Sequence, residues 1–316
     1  MRVVVTGGAG YIGGQTVLQL LDAGHSVFAI DRNLEPNPLF DCGAKWLVAD
    51  FAGEVALDAI RTFQPDAIIH CAGTSLVGPS MTDPDDYYNN NFVRTKILCD
   101  FLVKQNIKTR LIFSSSAATY GNPIMTPCQE VDPAEPISPY GESKLMIEWM
   151  LRAYQRAYGL DYVAFRYFNA CGADSQARHG QRPGATHIIA RVLEALRDNS
   201  GEFVLNGTDF ETEDGTCIRD YIHVEDLAAA HILATDSRIL GGVYNLGTNT
   251  GYSNLQIIHG AIGVTKRDLS YITGPKREGD PARLTADASK FMTTSSWKPK
   301  YGLEDIIRHA WAWYTR

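Results

Sequence analysis

Tyr140 and Lys144 stand four residues apart in Ser138-Pro139-Tyr140-Gly141-Glu142-Ser143-Lys144. On a helix that spacing puts both side chains on one face, one turn apart. A phenol with an ordinary pKa of about 10 is a poor base near neutrality. An ammonium one turn away favours the phenolate and lowers that value. Upstream, Ser114-Ser115-Ser116 closes an apolar run. A serine hydroxyl beside such a phenol can share a substrate proton and hold the oxygen that gives it up. The trio Tyr140, Lys144 and Ser116 therefore suits removal of a proton from a hydroxyl whose carbon is being oxidised. A Tyr-x-x-x-Lys pair alone is weak evidence, because it arises by chance on solvated helices. Its weight comes from what accompanies it.

The companion is Gly7-Gly8-Ala9-Gly10-Tyr11-Ile12-Gly13, directly after the β-branched run Arg2 to Thr6. Gly8, Gly10 and Gly13 satisfy G-x-G-x-x-G, and Gly7, Gly10 and Gly13 satisfy G-x-x-G-x-x-G. A pyrophosphate needs bare backbone N–H groups and the positive end of a helix, with no Cβ in the way. Tight strand-to-helix turns also want glycine, so the context decides. An acidic residue, Asp31, ends the next apolar run. A carboxylate there accepts from a ribose diol and repels a 2′-phosphate, which favours NAD over NADP. Arg32 follows it and could accommodate that phosphate. Asp50 ends a third run, where it could meet an adenine amino group or serve as a turn or helix cap.

These groups need a scaffold that brings strand ends together. Apolar runs at 26–30, 46–50, 67–70, 110–114 and 161–166 alternate with helical stretches, the first over 15–23. Near-continuous apolar strands separated by helices imply a parallel sheet covered on both faces. Ser138 then Pro139 marks a helix start, and apolar positions Leu145, Met146, Trp149, Met150 and Ala153 continue it. After residue 166 the pattern loosens. Residues 172–186 read as a loop, with helices over 187–197 and 303–314 and loops over 206–215 and 274–281. The fold class expected is α/β: a Rossmann-like doubly wound parallel sheet with a smaller mixed α/β C-terminal lobe. Residues 1–168 form the dinucleotide-binding domain, to which part of the later chain returns, and 169–316 mainly the substrate lobe.

Composition narrows the alternatives. The 316 residues are 45% hydrophobic and 21% charged, which excludes wholesale disorder. A net charge of -7 argues against a nucleic-acid surface. No run of about 18 apolar residues suggests a membrane span, and the opening Met1 to Thr6, too short and soon interrupted by glycine, does not read as a signal peptide. Six scattered cysteines without a C-x-x-C pair argue against a metal site or a disulfide framework. A reducing, cytoplasmic setting fits them.

With these residues in view, the chain resembles the extended short-chain dehydrogenase/reductase family and, within it, the UDP-hexose 4-epimerases that act on UDP-glucose and UDP-galactose. The resemblance spans essentially the whole chain. It rests on VTGGAGYIG (5–13), HCAGTSLVGPS (70–80), YYNNNFVRT (87–95), FSSSAATYG (113–121), SPYGESK (138–144), RYFNACGA (166–173), DGTCIRDYIHVEDLA (214–228), YNLGT (244–248) and KREGDPARLTADASK (276–290). It implies an isomerase that oxidises the sugar at C4 through tightly held NAD, turns the 4-keto sugar over and reduces its other face. Tyr140 is then the base, Lys144 binds the nicotinamide ribose and lowers the Tyr140 pKa, and Ser116 holds the 4-oxygen. Cofactor contacts fall on Gly7, Gly10, Tyr11, Ile12, Gly13, Asp31, Asp50, Phe51, Asn91, Tyr140, Lys144 and Tyr167. Contacts to the UDP-sugar fall on Ser116, Asn169, His187, Arg219 and Arg277, with Asp280 near the ribose. Leu284 stands where the family gates hexose size, and Asn206 where an aromatic residue usually stands. His70 and His223 read as core histidines. A homodimer is implied, built on the helix starting near Asp83 and the one carrying Tyr140.

Related dehydratases use an acidic residue just after the strand-end serine or threonine. Ala117 and Ala118 stand there, which speaks against dehydration. A 4-epimerase of another UDP sugar, N-acetylated, pentose or uronate, is the nearest rival. A non-catalytic NAD-sensing regulator has no reason to keep Tyr140 with Lys144.

Overall fold

The computed structural model describes residues 1–32, 38–198, 203–276 and 280–316. The first half runs β1 (Arg2–Thr6), α1 (Tyr11–Asp22), β2 (Ser26–Asp31), β3 (Lys45–Val48), α2 (Glu54–Phe63) and β4 (Ala67–His70). Two short helices follow, α3 (Val77–Ser80) and α4 (Pro84–Tyr87). A π-helical turn over Tyr88–Val93 then leads into α5 (Arg94–Lys104). Next come β5 (Arg110–Ser116), α6 (Pro139–Tyr158) and β6 (Tyr162–Tyr167). The later chain adds β7 (Asn169–Cys171), α7 (Ile188–Asp198), β8 (Phe203–Asn206), β9 (Ile218–His223), α8 (Val224–Leu233) and β10 (Gly242–Leu246). It ends with β11 (Gly251–Ser253), α9 (Asn254–Thr265), β12 (Tyr271–Gly274), β13 (Arg283–Leu284), α10 (Ser289–Thr294) and α11 (Leu303–Tyr314).

Seven parallel strands form the main sheet in the order β10-β6-β5-β4-β1-β2-β3. Successive side chains of a strand face opposite ways, and the core divides accordingly. Val3 and Val5 join Val17, Leu20 and Leu227 on the α1–α8 side. Val4 joins Ile60, Leu98 and Ile147 on the α2–α5–α6 side. The strand order reverses between β1 and β4. In open α/β sheets, ligands bind outside the carboxyl ends at such a reversal. A second body packs α7, α9 and α11 around Leu193, Ile257 and Ile307. Its small sheet is centred on β9, which pairs with β7, β11 and β13, and β8 pairs with β12.

Several boundaries differ from the sequence reading. The first helix begins at Tyr11 rather than 15, because Gly10 serves directly as its N-cap. β3 stops at Val48, so Asp50 lies in the turn beyond, where it accepts from Ala52 N at 3.0 Å. β5 extends through Ser116, which stays in register with Tyr167. β10 was not foreseen as a strand, yet it forms an edge of the main sheet. Its five residues, Gly-Val-Tyr-Asn-Leu, carry too little alternation to stand out. Among the described residues, no helix is long and apolar enough to cross a membrane.

α10 pins this returning strand. Its Phe291 is fully buried, with ring centroids 4.9 Å from Phe165 and 5.4 Å from Tyr244. Phe291→Ala is expected to cost about 3–5 kcal/mol, as large cavities do. Chemical denaturation of both proteins measures the loss.

Candidate active site

At the end of β1 the chain turns through Gly7, whose φ of +71° is a left-handed conformation that favours glycine. Gly7 N donates to Ile30 O at 2.8 Å, and Gly10 N to Gly7 O at 3.0 Å. A Cβ on Gly13 would collide with that Gly7 carbonyl, so glycine lets helix and turn close up. No side chain caps α1 at Gly10. Its first-turn N–H groups thus face outward at the positive end of the helix. Asp31 Oδ2 accepts from Ala9 N at 3.0 Å, which fixes the strand-end carboxylate against the loop. An uncapped helix start, a glycine turn and a strand-end carboxylate fit a dinucleotide. Gly7, Gly10 and Gly13 would admit its pyrophosphate, and Asp31 its ribose diol.

The other predicted cofactor residues surround this loop and are tied into it. Tyr11 donates its hydroxyl to Gly172 O at 2.7 Å, linking α1 to the later loop. Ile12 packs against the α1–α8 core. Phe51 is buried edge-on to His70, with centroids 4.8 Å apart. Asp50 is ion-paired with Arg94. Arg32 donates to Asn90 Oδ1 at 3.2 Å. Asn91, 1% exposed, clamps the 73–74 turn: Oδ1 accepts from Thr74 N at 2.7 Å and Nδ2 donates to Thr74 O at 3.0 Å. Tyr167 is buried, and its hydroxyl lies against Ser114 Oγ and His231 Nε2.

The chemical end is carried by β5 and α6. Ser138 Oγ accepts from Gly141 N at 3.2 Å, and Pro139 opens the helix, so Tyr140 sits in its first turn. Lys144 is 5% exposed and donates to Ser114 O at 2.9 Å. Its Nζ lies 5.8 Å from the centre of the Tyr140 ring. Burial lowers the Lys144 pKa to about 8. Burial raises that of Tyr140, while a hydrogen bond with Ser116 lowers it. The arrangement expected from spacing is therefore present, with one correction. In the protein alone burial outweighs the Ser116 contact and raises the Tyr140 pKa, so the phenol is not pre-ionised. A further positive charge beside it would be needed to tip the balance.

His70 and His223 are fully buried. His70 bridges Thr6 and Thr95 at 2.6 and 2.8 Å, and burial followed by the Lys144 charge lowers its pKa to about 3. His223 caps α8 by accepting from Glu225 N at 3.0 Å. Neither is poised for acid–base work near neutrality.

On the substrate side, Asn169, His187 and Tyr221 line one cleft beside Gly172. Arg219 lies on β9, 8% exposed, 3.5 Å from the Asp280 carboxylate. β13 places Leu284 in register with Arg219. Thus Arg219, Asp280 and Leu284, distant in sequence, share one neighbourhood. Arg277 lies outside the described residues.

The model of the NAD dependent epimerase/dehydratase family matches residues 3–247. The chain belongs to that family. Among curated relatives it is similar to a UDP-glucose 4-epimerase of Halalkalibacterium halodurans, 44% identical over 99% of this chain and 96% of that one. Among solved structures it is similar to the Brucella ovis UDP-glucose 4-epimerase in complex with NAD. That pair has a TM-score of 0.92, 38% identity, and coverage of 98% of this chain and 97% of the other. It also matches the Bifidobacterium longum UDP-glucose 4-epimerase in complex with NAD+ and UDP. There the TM-score is 0.91 and the identity 34%, over 100% of this chain and 98% of the other. Sequence reasoning had passed over Glu148 and Arg166 of this epimerase/dehydratase chain, a buried ion pair of 2.7 Å below the site. Their signal was legible: Glu148 continues the Tyr140–Lys144 spacing by one more turn, and Arg166 is a charge inside an apolar strand.

Gly13→Val is expected to leave a folded protein that has lost bound NAD, read from the cofactor content of purified protein. Lys144→Met is expected to lower kcat about a hundredfold. Without the ammonium the phenolate is less favoured, so the rising limb of the kcat–pH profile moves to higher pH. A pH series on both proteins measures that shift.

Proposed function

We propose that the protein is an NAD-dependent isomerase that interconverts UDP-glucose and UDP-galactose by transient oxidation at C4. The observation that carries this reading is the meeting of Tyr140, Ser116 and Lys144 at the carboxyl end of β5, facing the glycine turn of β1. Bound NAD supplies a reversible two-electron acceptor at the sugar carbon. Tyr140 takes the proton of the 4-hydroxyl and later returns it to the 4-oxygen, so it ends the cycle as it began. Ser116 orients that oxygen and shares its hydrogen bond. The Lys144 ammonium favours the phenolate form of Tyr140. Ala117 and Ala118 place no carboxylate beside this centre, which disfavours loss of water from the sugar.

The cofactor set is Gly7, Gly10, Tyr11, Ile12, Gly13, Asp31, Asp50, Phe51, Asn91, Tyr140, Lys144 and Tyr167. Asn169, His187, Arg219, Arg277 and Asp280 are proposed to hold the UDP portion. A guanidinium fork such as that of Arg219 suits a diphosphate. The 169–316 stretch is read as mainly the UDP-sugar lobe.

The same reading includes a homodimer, a cytoplasmic setting and a place in galactose metabolism. Val93, Ile97 and Trp149, on the π-helical turn, α5 and α6, are 42%, 41% and 53% exposed, and apolar side chains of this kind support a subunit contact. All six cysteines are free thiols, in keeping with a reducing compartment.

Purified protein incubated with UDP-galactose and no added cofactor is expected to form UDP-glucose. Tyr140→Phe is expected to retain NAD and to lose at least about a hundredfold in rate. Near-normal turnover by that variant removes Tyr140 as the base. Conversion of a different UDP sugar alone keeps the reaction class and overturns the substrate.

A further inference from the structure

One face of α6 carries Tyr140, Lys144 and Glu148 at successive turns. Three consecutive residues of β5 receive them. Ser116 stands close enough to Tyr140 to lower its pKa, Ser114 O accepts from Lys144 Nζ at 2.9 Å, and Ser115 Oγ donates to Glu148 Oε1 at 2.5 Å. Glu148 is itself gripped by β6. Arg166 Nε donates to its Oε1 at 3.0 Å and Arg166 Nη2 to its Oε2 at 2.7 Å. Both side chains are buried, 4% and 5% exposed. Arg166 stands in register with Ser115, and its guanidinium stacks over the Tyr120 ring at 4.6 Å. Tyr120 in turn donates to Asn245 Oδ1 at 2.8 Å, on β10.

We propose that the Glu148–Arg166 fork, with Ser115, is a positioning device that sets α6 against β5 so that Tyr140 meets Ser116. This rests on the reading of Tyr140 and Ser116 as the reacting pair. A two-bond fork fixes distance and angle together, which a single apolar contact does not. Neither Glu148 nor Arg166 touches the reacting atoms. Their effect passes along two turns of a rigid helix and one strand pairing. A displacement of about 1 Å at a reacting group can cost about a hundredfold in rate, so such a brace bears directly on turnover.

The test uses two variants that leave no buried charge alone. Arg166→Lys keeps the opposite charge and loses the fork, and Ser115→Ala removes only the link to β5. In the NAD-holding protein, Arg166→Lys is expected to lower kcat about tenfold or more with KM for the UDP sugar within about twofold. Ser115→Ala is expected to lower kcat by a smaller factor in the same pattern. In both, the rising limb of the kcat–pH profile moves up, because Tyr140 loses the geometry with Ser116 and Lys144. A crystal structure of Arg166→Lys is expected to show the Tyr140 and Ser116 hydroxyls further apart than in the wild-type protein. Folded variants with wild-type kcat and an unmoved pH limb overturn the proposal. So does a variant structure in which that separation is unchanged. A wild-type protein that converts no UDP sugar overturns the reading of the function instead, and the variant structure still decides the positioning.

Discussion

Lys144 carries its amine at a position only 5% exposed, and donates it to the Ser114 carbonyl at 2.9 Å. Taking a charged amine out of water costs several kcal/mol even after relaxation. The cost is visible in its pKa, lowered by burial to about 8. Ile147, Leu151 and Met150 bury the helix against the sheet around it. A buried ammonium beside Tyr140 suits the proposed site, where it would favour the phenolate. The opposing effects on Tyr140 are burial, which raises its pKa, and Ser116, which lowers it. That balance leaves the phenol sensitive to any further cation placed beside it.

The rest of the sheet serves this junction. Parallel pairing lines up the carboxyl ends of β1, β4 and β5, so the glycine turn, the Asn91-clamped turn at Thr74 and the serine run open on one crevice. The returning α8 and β10 complete the sheet's flank and edge. Tyr11 reaches across to Gly172, tying the first helix to the loop that leads toward His187. The second body then supplies Arg219, Asp280 and Leu284 as a group. The first helix and the loop leading into the second body are thus tied by the Tyr11–Gly172 hydrogen bond, while the main sheet and the sheet centred on β9 stay separate.

Local chemistry was largely legible in the sequence. The turn at Gly7, the cap at Ser138 and the pairing of Tyr140 with Lys144 depend on neighbours a few residues away, and spacing reveals these. What stayed hidden depends on distant partners. β10 becomes a strand because β6 offers it an edge, and its own residues carry little alternation. β13 is two residues long and exists through its register with β9. The π-helical turn at Tyr88–Val93 sits where Asn91 must reach Thr74, a demand no periodicity records. For the same reason the polar partners of Asn91 and Tyr167, at Thr74, Ser114 and His231, left no mark in the sequence. Glu148 and Arg166 each left a signal in the sequence, but their pairing joins a helix to a strand and no spacing records it.

The account stands on Tyr140 becoming a usable base only in the assembled site. The most direct measurement is an ultraviolet difference titration of the NAD-holding protein, with the spectrum of a protein lacking the Tyr140 hydroxyl subtracted to isolate that one phenol. The account predicts ionisation well below the ordinary tyrosine value of about 10, and a rise when NAD is stripped away. A Tyr140 that ionises above that value in the NAD-holding protein, or that titrates identically with and without NAD, would contradict it.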